Sequence, residues 1–275
     1  MIKFDNQTIS KIFYSGHSIS RVMGCDDHLV WSGGTTPTGD KIIVIYKDNP
    51  SGLTEYTYAC DGNPTLNSRD RKIDNDTTLD SYITDAVIGT CVTEIGKEAL
   101  GSCDGLTSLS SVTIPNSVTT IEQFAFWACT SLSSLTIPNS VTNIQAFAFE
   151  LCGLTSLTIP NSVTYLGGNA FQDCKSLQSV EISSNMTSIE NRTFWNCTSL
   201  TSITIPSSIT YIGNYAFLDC RSLTSITCLS TTPPTLGTNV FSGTTCSIYV
   251  PSASVNTYKT ASRWSNYENR IYPIP

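Results

Sequence analysis

Charge is scarce in this chain. Asp, Glu, Lys and Arg make up 13% of its 275 residues, about half of the usual quarter, so Ser, Thr and Asn must carry the hydration of its surface. What charge there is leans acidic: the net charge is −7, and from Glu98 to Cys228 eight acids meet three bases, Lys175, Arg192 and Arg221. A surface of that sign repels a phosphate backbone, so nucleic acid is not an expected partner. Long apolar runs are missing as well. No stretch reaches the ~18 residues of a membrane span, and the opening MIKFDNQTIS has no apolar h-region, so neither a span nor a secretory signal is visible and export stays unproven.

Histidine is nearly absent. His17 and His28, eleven residues apart, are the only two, and no C-x-x-C occurs; no zinc ligand set can be assembled from these, and both read as surface residues. Hydrolytic catalysis needs a nucleophile with a base and an orienting group, but there is no G-x-S-x-G and no histidine among the repeats. Two carboxylate pairs, Glu150 with Asp173 and Glu181 with Glu190, are accounted for by repeat drift on a solvated face. GGN at 167–169 is no phosphate loop, because no Lys-Ser/Thr follows it. No catalytic residue, cofactor or metal is expected.

What the chain has in quantity is repetition. FWACTSLSSLTIPNSVTNI at 126–144 returns as FWNCTSLTSITIPSSITYI at 194–212. Aligned on the Ile-Pro step, Ile114, Ile137, Ile159, Ile182 (before Ser183 instead of Pro) and Ile205 are spaced by 23, 22, 23 and 23 residues. Outward, Ile83, Ala86 and Ile88 then Val92 and Ile95 match Leu109, Val112 and Ile114 then Val118 and Ile121. Leu223, Ile226 and Cys228 form a later copy, and Ile248, Val250 and Pro251 end the last. Eight candidate strands result, the most regular in the middle.

In LTSITI, residues 200–205, Leu200, Ile203 and Ile205 point inward while Thr201, Ser202 and Thr204 face out, the alternation of a half-buried strand. Pro206 lacks an N–H, so the strand should end there. Ile209 and Ile212 supply a second inward pair, and Ala216 and Phe217 fill the far side. A coil of this size buries about six apolar side chains against its neighbours and cannot stand alone.

The register L-x-S-V/L/I-x-I-P-x-S-V-T-x-I-x-x-x-A-F-x-x-C resembles the BspA-type leucine-rich repeat family over roughly residues 83–251. The resemblance implies a right-handed repeat solenoid of about 23-residue coils, each adding one strand to a parallel sheet. Leu100 for Phe, Thr193 for Ala, Ser183 for Pro and a three-residue insertion between Cys103 and Leu109 depart from the register. Eight strands at about 4.8 Å each would span about 35–40 Å. Residues 1–34 read as a small β module built on ISKIFYSGHS and ISRVMGCDDH, 35–40 as a linker, 41–82 as the N-terminal cap and 252–275 as the C-terminal cap. In the latter, Ser252 or Ser254 is a candidate N-cap, with Tyr258, Trp264 and Ile271 laid over the last coil.

Eleven cysteines invite a disulfide reading, but Cys103, Cys129, Cys152, Cys174, Cys197 and Cys220 share one repeat position. Side chains running parallel from adjacent coils are poorly placed to bond. They read as free, shielded thiols packing as small hydrophobes; for Cys25, Cys60, Cys91, Cys228 and Cys246 no state follows.

Two features are left for binding. One is the outward row of short hydroxyls, of which Ser134, Thr136, Ser156, Thr158, Ser179, Glu181, Ser202 and Thr204 are the candidate ligand-binding set; the alternative is that they solvate the sheet and bond to one another between coils. The other is Trp127 and Trp195, at a position held by Glu150, Gln172 and Leu218 in other coils and therefore expected to face solvent, as anchors or as padding. The resembled family implies non-enzymatic recognition or adhesion at a bacterial surface. The expected partner is a protein or glycan, such as host extracellular matrix or another cell's surface, and the expected location extracellular or surface-displayed. A structural or receptor-binding component of a phage-like particle is the alternative, motivated by the missing signal and the separate β module. The oligomeric state is not readable.

Overall fold

A computed structural model describes residues 83–88, 92–101 and 109–275, together with the backbone of short strands upstream. The expected linker 35–40, the insertion between Cys103 and Leu109, His28, and Cys25, Cys60, Cys91 and Cys103 lie outside the described residues. Upstream, β1 (Phe13–Tyr14) pairs antiparallel with β2 (His17–Ser18), and β3 (Val22–Met23) with β4 (Leu29–Trp31). Next come β5 (Lys41–Tyr46), β6 (Glu55–Ala59) and β7 (Thr65–Leu66).

From β8 (Ile83–Val87) onward the chain is a parallel-sheet β-solenoid of about eight turns. All coils but one run a strand along a broad face: β8, β10 (Ser111–Thr113), β13 (Ser156–Thr158), β15 (Ser179–Glu181), β17 (Ser202–Ile205), β19 (Ser225–Cys228) and β21 (Ser247–Val250). The proline then turns the chain out as its missing N–H requires. The carbonyls of Pro115, Pro138, Pro160 and Pro206 accept from the amide three residues on at 2.9–3.2 Å. Ser183 does the same less tightly and donates its own hydroxyl to Val163 O at 2.6 Å.

The second inward pair forms a second parallel face, which the strand-by-strand reading of the sequence had not separated and which divides into one sheet ending at Leu166 and another starting at Ser188. Its members are two residues long: β9 (Glu94–Ile95), β11 (Thr120–Ile121), β12 (Asn143–Ile144), β14 (Tyr165–Leu166), β16 (Ser188–Ile189), β18 (Tyr211–Ile212) and β20 (Thr235–Leu236). Both faces receive a strand from upstream, β5 pairing antiparallel with β8 and β7 parallel with β9.

The third side of each coil carries the aromatic core. Phe126, Phe149, Phe171, Phe194, Phe217 and Phe241 stack in one column with centroids 5.2–5.8 Å apart. Trp264 closes it 5.8 Å from Phe241, anchored by its indole N–H on Pro234 O at 2.7 Å. Tyr258 and Ile271 are buried beside it, and β22 (Ile271–Pro273) extends the broad sheet from β21. Ser254 does precede α1 (Val255–Thr260), but its side chain makes no capping bond. Thr193, in place of Ala, is satisfied by donating to Glu190 O at 2.8 Å.

Seven cysteines among the described residues are buried and unpaired. They are more than small hydrophobes. The thiols of Cys129, Cys152, Cys174, Cys197 and Cys220 each donate to a main-chain carbonyl of the preceding coil at 2.9–3.1 Å, a weak bond repeated down the stack.

One expected strand is missing. Leu132–Ile137, in the third coil, forms no strand, so β10 pairs only with β8 and β13 only with β15. The reason lies in the next coil, the one spaced by 22 residues, where Gly153 alone replaces the Thr-Ser found after Cys129 and Cys197. The shortened corner brings Gly153 so close that a Cβ there would stand 2.0 Å from Thr130 O. The third coil retains the bond from Thr155 N–H to Ser133 O but not the ladder beyond it. Leu135 is left half-buried where Val112, Leu157, Val180, Ile203 and Ile226 are buried.

Candidate functional site

Where the broad sheet lapses, its face opens into a shallow cavity of about 630 Å3 crossing four coils. Ser111, Ser134, Ser156 and Ser179 form one row of its lining, and Thr136, Thr158 and Glu181 a second. Leu135 lies between the rows and Asn139 at the edge. Strands one coil apart place like residues about 4.8 Å apart, which makes the groove roughly 14 Å long and directs it along the solenoid axis, across the strands.

The hydroxyls of the broad face fall into two classes. Those at the start of each strand are tied into the fold: Thr155, Thr201 and Thr224 donate to the main-chain carbonyls of Ser133, Gln178 and Thr201 at 3.0–3.2 Å. Those further along are not. Among the described residues, the side chains of Ser134, Thr136, Ser156, Ser179, Ser202 and Thr204 make no hydrogen bond. Thr158 donates to Glu181 Oε2 at 3.0 Å, one link between coils. These hydroxyls thus do not bond to one another between coils: the first row bonds to main-chain carbonyls of the neighbouring coil, and Thr158 beyond it to a carboxylate. Glu181 is the only charged side chain lining the groove, and neither ion pair among the described residues involves it.

Of the ten residues singled out by sequence, six line the groove: Ser134, Thr136, Ser156, Thr158, Ser179 and Glu181. Ser202 and Thr204 continue the same face on β17. Trp127 and Trp195 do not join them, since they follow the buried Phe on the third side of the coil. Nor do they stand free. Both are half-buried: Trp127 packs edge-on to Phe124 at 6.3 Å, and the Arg192 guanidinium lies over Trp195 at 5.1 Å and over Tyr215 at 5.6 Å. The expectation that this position faces solvent is corrected by that packing, which covers one face of Trp195 with a cation from its own coil.

Three of the paired carboxylates, Glu150, Asp173 and Glu190, are held by neutral side-chain donors. Glu150 and Asp173 are linked through Gln172, whose amide donates to both at 2.9 and 3.3 Å, and Asp173 also accepts from Asn196 at 2.6 Å. Partial burial, with Asp173 beside it, raises the Glu150 pKa. Glu190 accepts from Ser188 at 2.7 Å. Gly167, of the GGN stretch, serves close packing, as a Cβ there would meet Ala146 N at 2.3 Å.

The geometry of the coil agrees with a comparison against known families. The model of the BspA-type leucine-rich repeat region matches in six copies, over residues 71–152, 93–224 and 142–265. The chain belongs to the BspA-type leucine-rich repeat family. Among solved structures, a leucine-rich repeat protein from Bacteroides ovatus ATCC 8483 is 22% identical with a TM-score of 0.50, covering 90% of this chain and 71% of that one; the likeness is one of fold. A leucine-rich cell surface protein from Faecalibacterium prausnitzii A2-165 aligns at 26% identity and TM-score 0.41, over 71% of this chain and 64% of that one. No curated protein matches. Among the described residues of this BspA-type chain, no helix is long and apolar enough to cross a membrane.

Sequence reasoning missed Leu135 and Asn139. Leu135 occupies a position that is core in every other coil, and the one available signal was the single 22-residue spacing. Arg192 was counted as one of three bases, and its stacking with Trp195 and Tyr215 was not foreseen.

Proposed function

We propose that this BspA-type protein is a non-enzymatic recognition or adhesion protein of a bacterial cell surface, presenting the broad face of its solenoid to a protein or glycan. The observation carrying this reading is the row of uncommitted hydroxyls from Ser134 to Thr204. A fold that used them only for its own cohesion would tie them down as it ties Thr155, Thr201 and Thr224. Held on a rigid sheet, they bind with little loss of conformational freedom, so many weak contacts add to useful affinity. Family membership supports the surface location and the absence of catalysis.

The reading is tested with immobilised matrix proteins, a glycan array and whole cells, using the full chain and a Ser156→Arg variant that fills the centre of the groove while leaving the core untouched. Binding by the wild type and its loss in the variant is the expected result. Binding that survives Ser156→Arg moves the recognition surface elsewhere and sinks the proposal.

A further inference from the structure

We infer that the groove over the second to fifth coils takes an extended polypeptide segment carrying a lysine or arginine, whose cation pairs with Glu181 while an apolar side chain two residues away rests on Leu135. This inference rests on the broad face being the recognition surface and names the class of ligand. The groove's length, about 14 Å, matches four or five extended residues at about 3.3 Å each. Leu135 and Glu181 lie two coils apart, about 10 Å along the axis. Side chains at i and i+2 on one face of an extended chain are about 6.6 Å apart, and the reach of a lysine or arginine covers the remainder.

The chemistry of the lining favours a peptide. Serine and threonine hydroxyls donate and accept, which suits the alternating N–H and C=O of a peptide backbone. Glu181 has a hydroxyl partner but no cation, and it sits alone of its sign in the groove, so a ligand that brings a positive charge completes the pair. A half-buried leucine on a hydroxyl-rich face gains by being covered. No aromatic ring lines the groove, and with Trp127 and Trp195 on another side, nothing there offers the flat apolar surface on which a sugar ring stacks.

The probe is a set of fluorescein-labelled, capped hexapeptide pools in which positions three and five are fixed as Leu-x-Lys, Leu-x-Arg, Leu-x-Glu or Ser-x-Ser, measured by anisotropy with the full chain. The basic pools are expected to bind, the acidic and neutral ones not, with affinity falling as salt rises. Glu181→Gln should weaken the basic pools by about tenfold and Leu135→Ser by several-fold, while circular dichroism and the melting curve of each variant confirm that it is folded. Equal binding by wild type and Glu181→Gln overturns the inference, as does a preference for the acidic pool or no binding by any pool. If a glycan array instead gives binding that Ser156→Arg abolishes, the peptide inference fails and the broader reading of the face survives; if Ser156→Arg has no effect on whatever binds, both fail.

Discussion

The rings of Phe171 and Phe194, one coil apart, face each other at 5.6 Å and 3° from parallel. Each is fully buried, and each touches a like ring on its other side. The column passes through the part of the solenoid where the broad sheet is interrupted, so it carries the continuity that the strands there do not. Truncation at its centre should therefore be felt in both directions. Phe171→Ala is expected to cost about 3–5 kcal/mol, the usual range for emptying a buried phenyl site, read as a lower denaturation midpoint. A loss under about 1 kcal/mol would mean that neighbouring coils collapse into the space.

Six buried thiols, Cys152, Cys174, Cys197, Cys220, Cys228 and Cys246, make stability depend on alkaline pH. Burial pushes the pKa of Cys174, Cys220 and Cys228 up to about 12 and raises those of Cys152 and Cys197 as well, whereas an unfolded thiol titrates near 8.5. The protonated form is thus the one the folded state favours. Stability is full below about pH 8.5 and lost as pH rises toward 12, by at most about 1.4 kcal/mol per thiol per pH unit. The expected observation is a melting temperature flat from pH 7 to 8.5 that falls steeply from 9 to 11, with native thiols unreactive to a disulfide reagent at pH 8 until denaturant is added. Rapid native reaction would show that the column is open to solvent.

Leu151 is the weak point of the outer ridge. It has φ +61° and is 36% exposed, a left-handed conformation costly to a residue with a bulky side chain. Of the equivalent residues, Ala128, Asp173, Asn196, Asp219 and Gly243, all but Ala128 are types that adopt it readily. Leu151→Asn is expected to raise stability by about 0.5–1 kcal/mol without altering the groove, as measured by chemical denaturation. A destabilised variant would show that the leucine's contacts outweigh its backbone strain.

The coil was legible in the sequence because periodicity reports burial directly. Ile203 and Ile205 are buried and Ser202 and Thr204 exposed, as their alternation requires, and Pro206 ends its strand because it has no N–H to give. The groove was only half legible. The hydroxyl rows were visible as a pattern, but which hydroxyls are committed depends on distances between coils: Thr155 and Ser156 are adjacent and alike in sequence, yet only the first reaches the carbonyl above it. Trp195 misled for a related reason. Its tolerance across coils indicated exposure, while its cover comes from Arg192, three residues back, at a position whose positive φ recurs in Phe124, Phe147, Asn169 and Tyr215 but which carries a guanidinium in this coil alone of the five.

The deletion at Gly153 ties the fold to the proposed function and can be reversed. Replacing Gly153 by Thr-Ser, the pair that follows Cys129 and Cys197, restores a 23-residue coil. The fourth coil would then no longer crowd Thr130, Ser134–Ile137 would be free to pair with β10 and β13, and Leu135 would turn under the sheet like Val112 and Leu157. Main-chain groups that now form no ladder would gain partners, so amide exchange at 134–137 is expected to slow by at least tenfold. The groove would close, and binding to the face would be lost with it. Gly153→Ala tightens the same corner without lengthening it; with Thr130 O 2.0 Å from the new methyl, it should destabilise by about 1–3 kcal/mol. Unchanged exchange at 134–137 in the Thr-Ser chain would show that something other than the missing residue holds the sheet open.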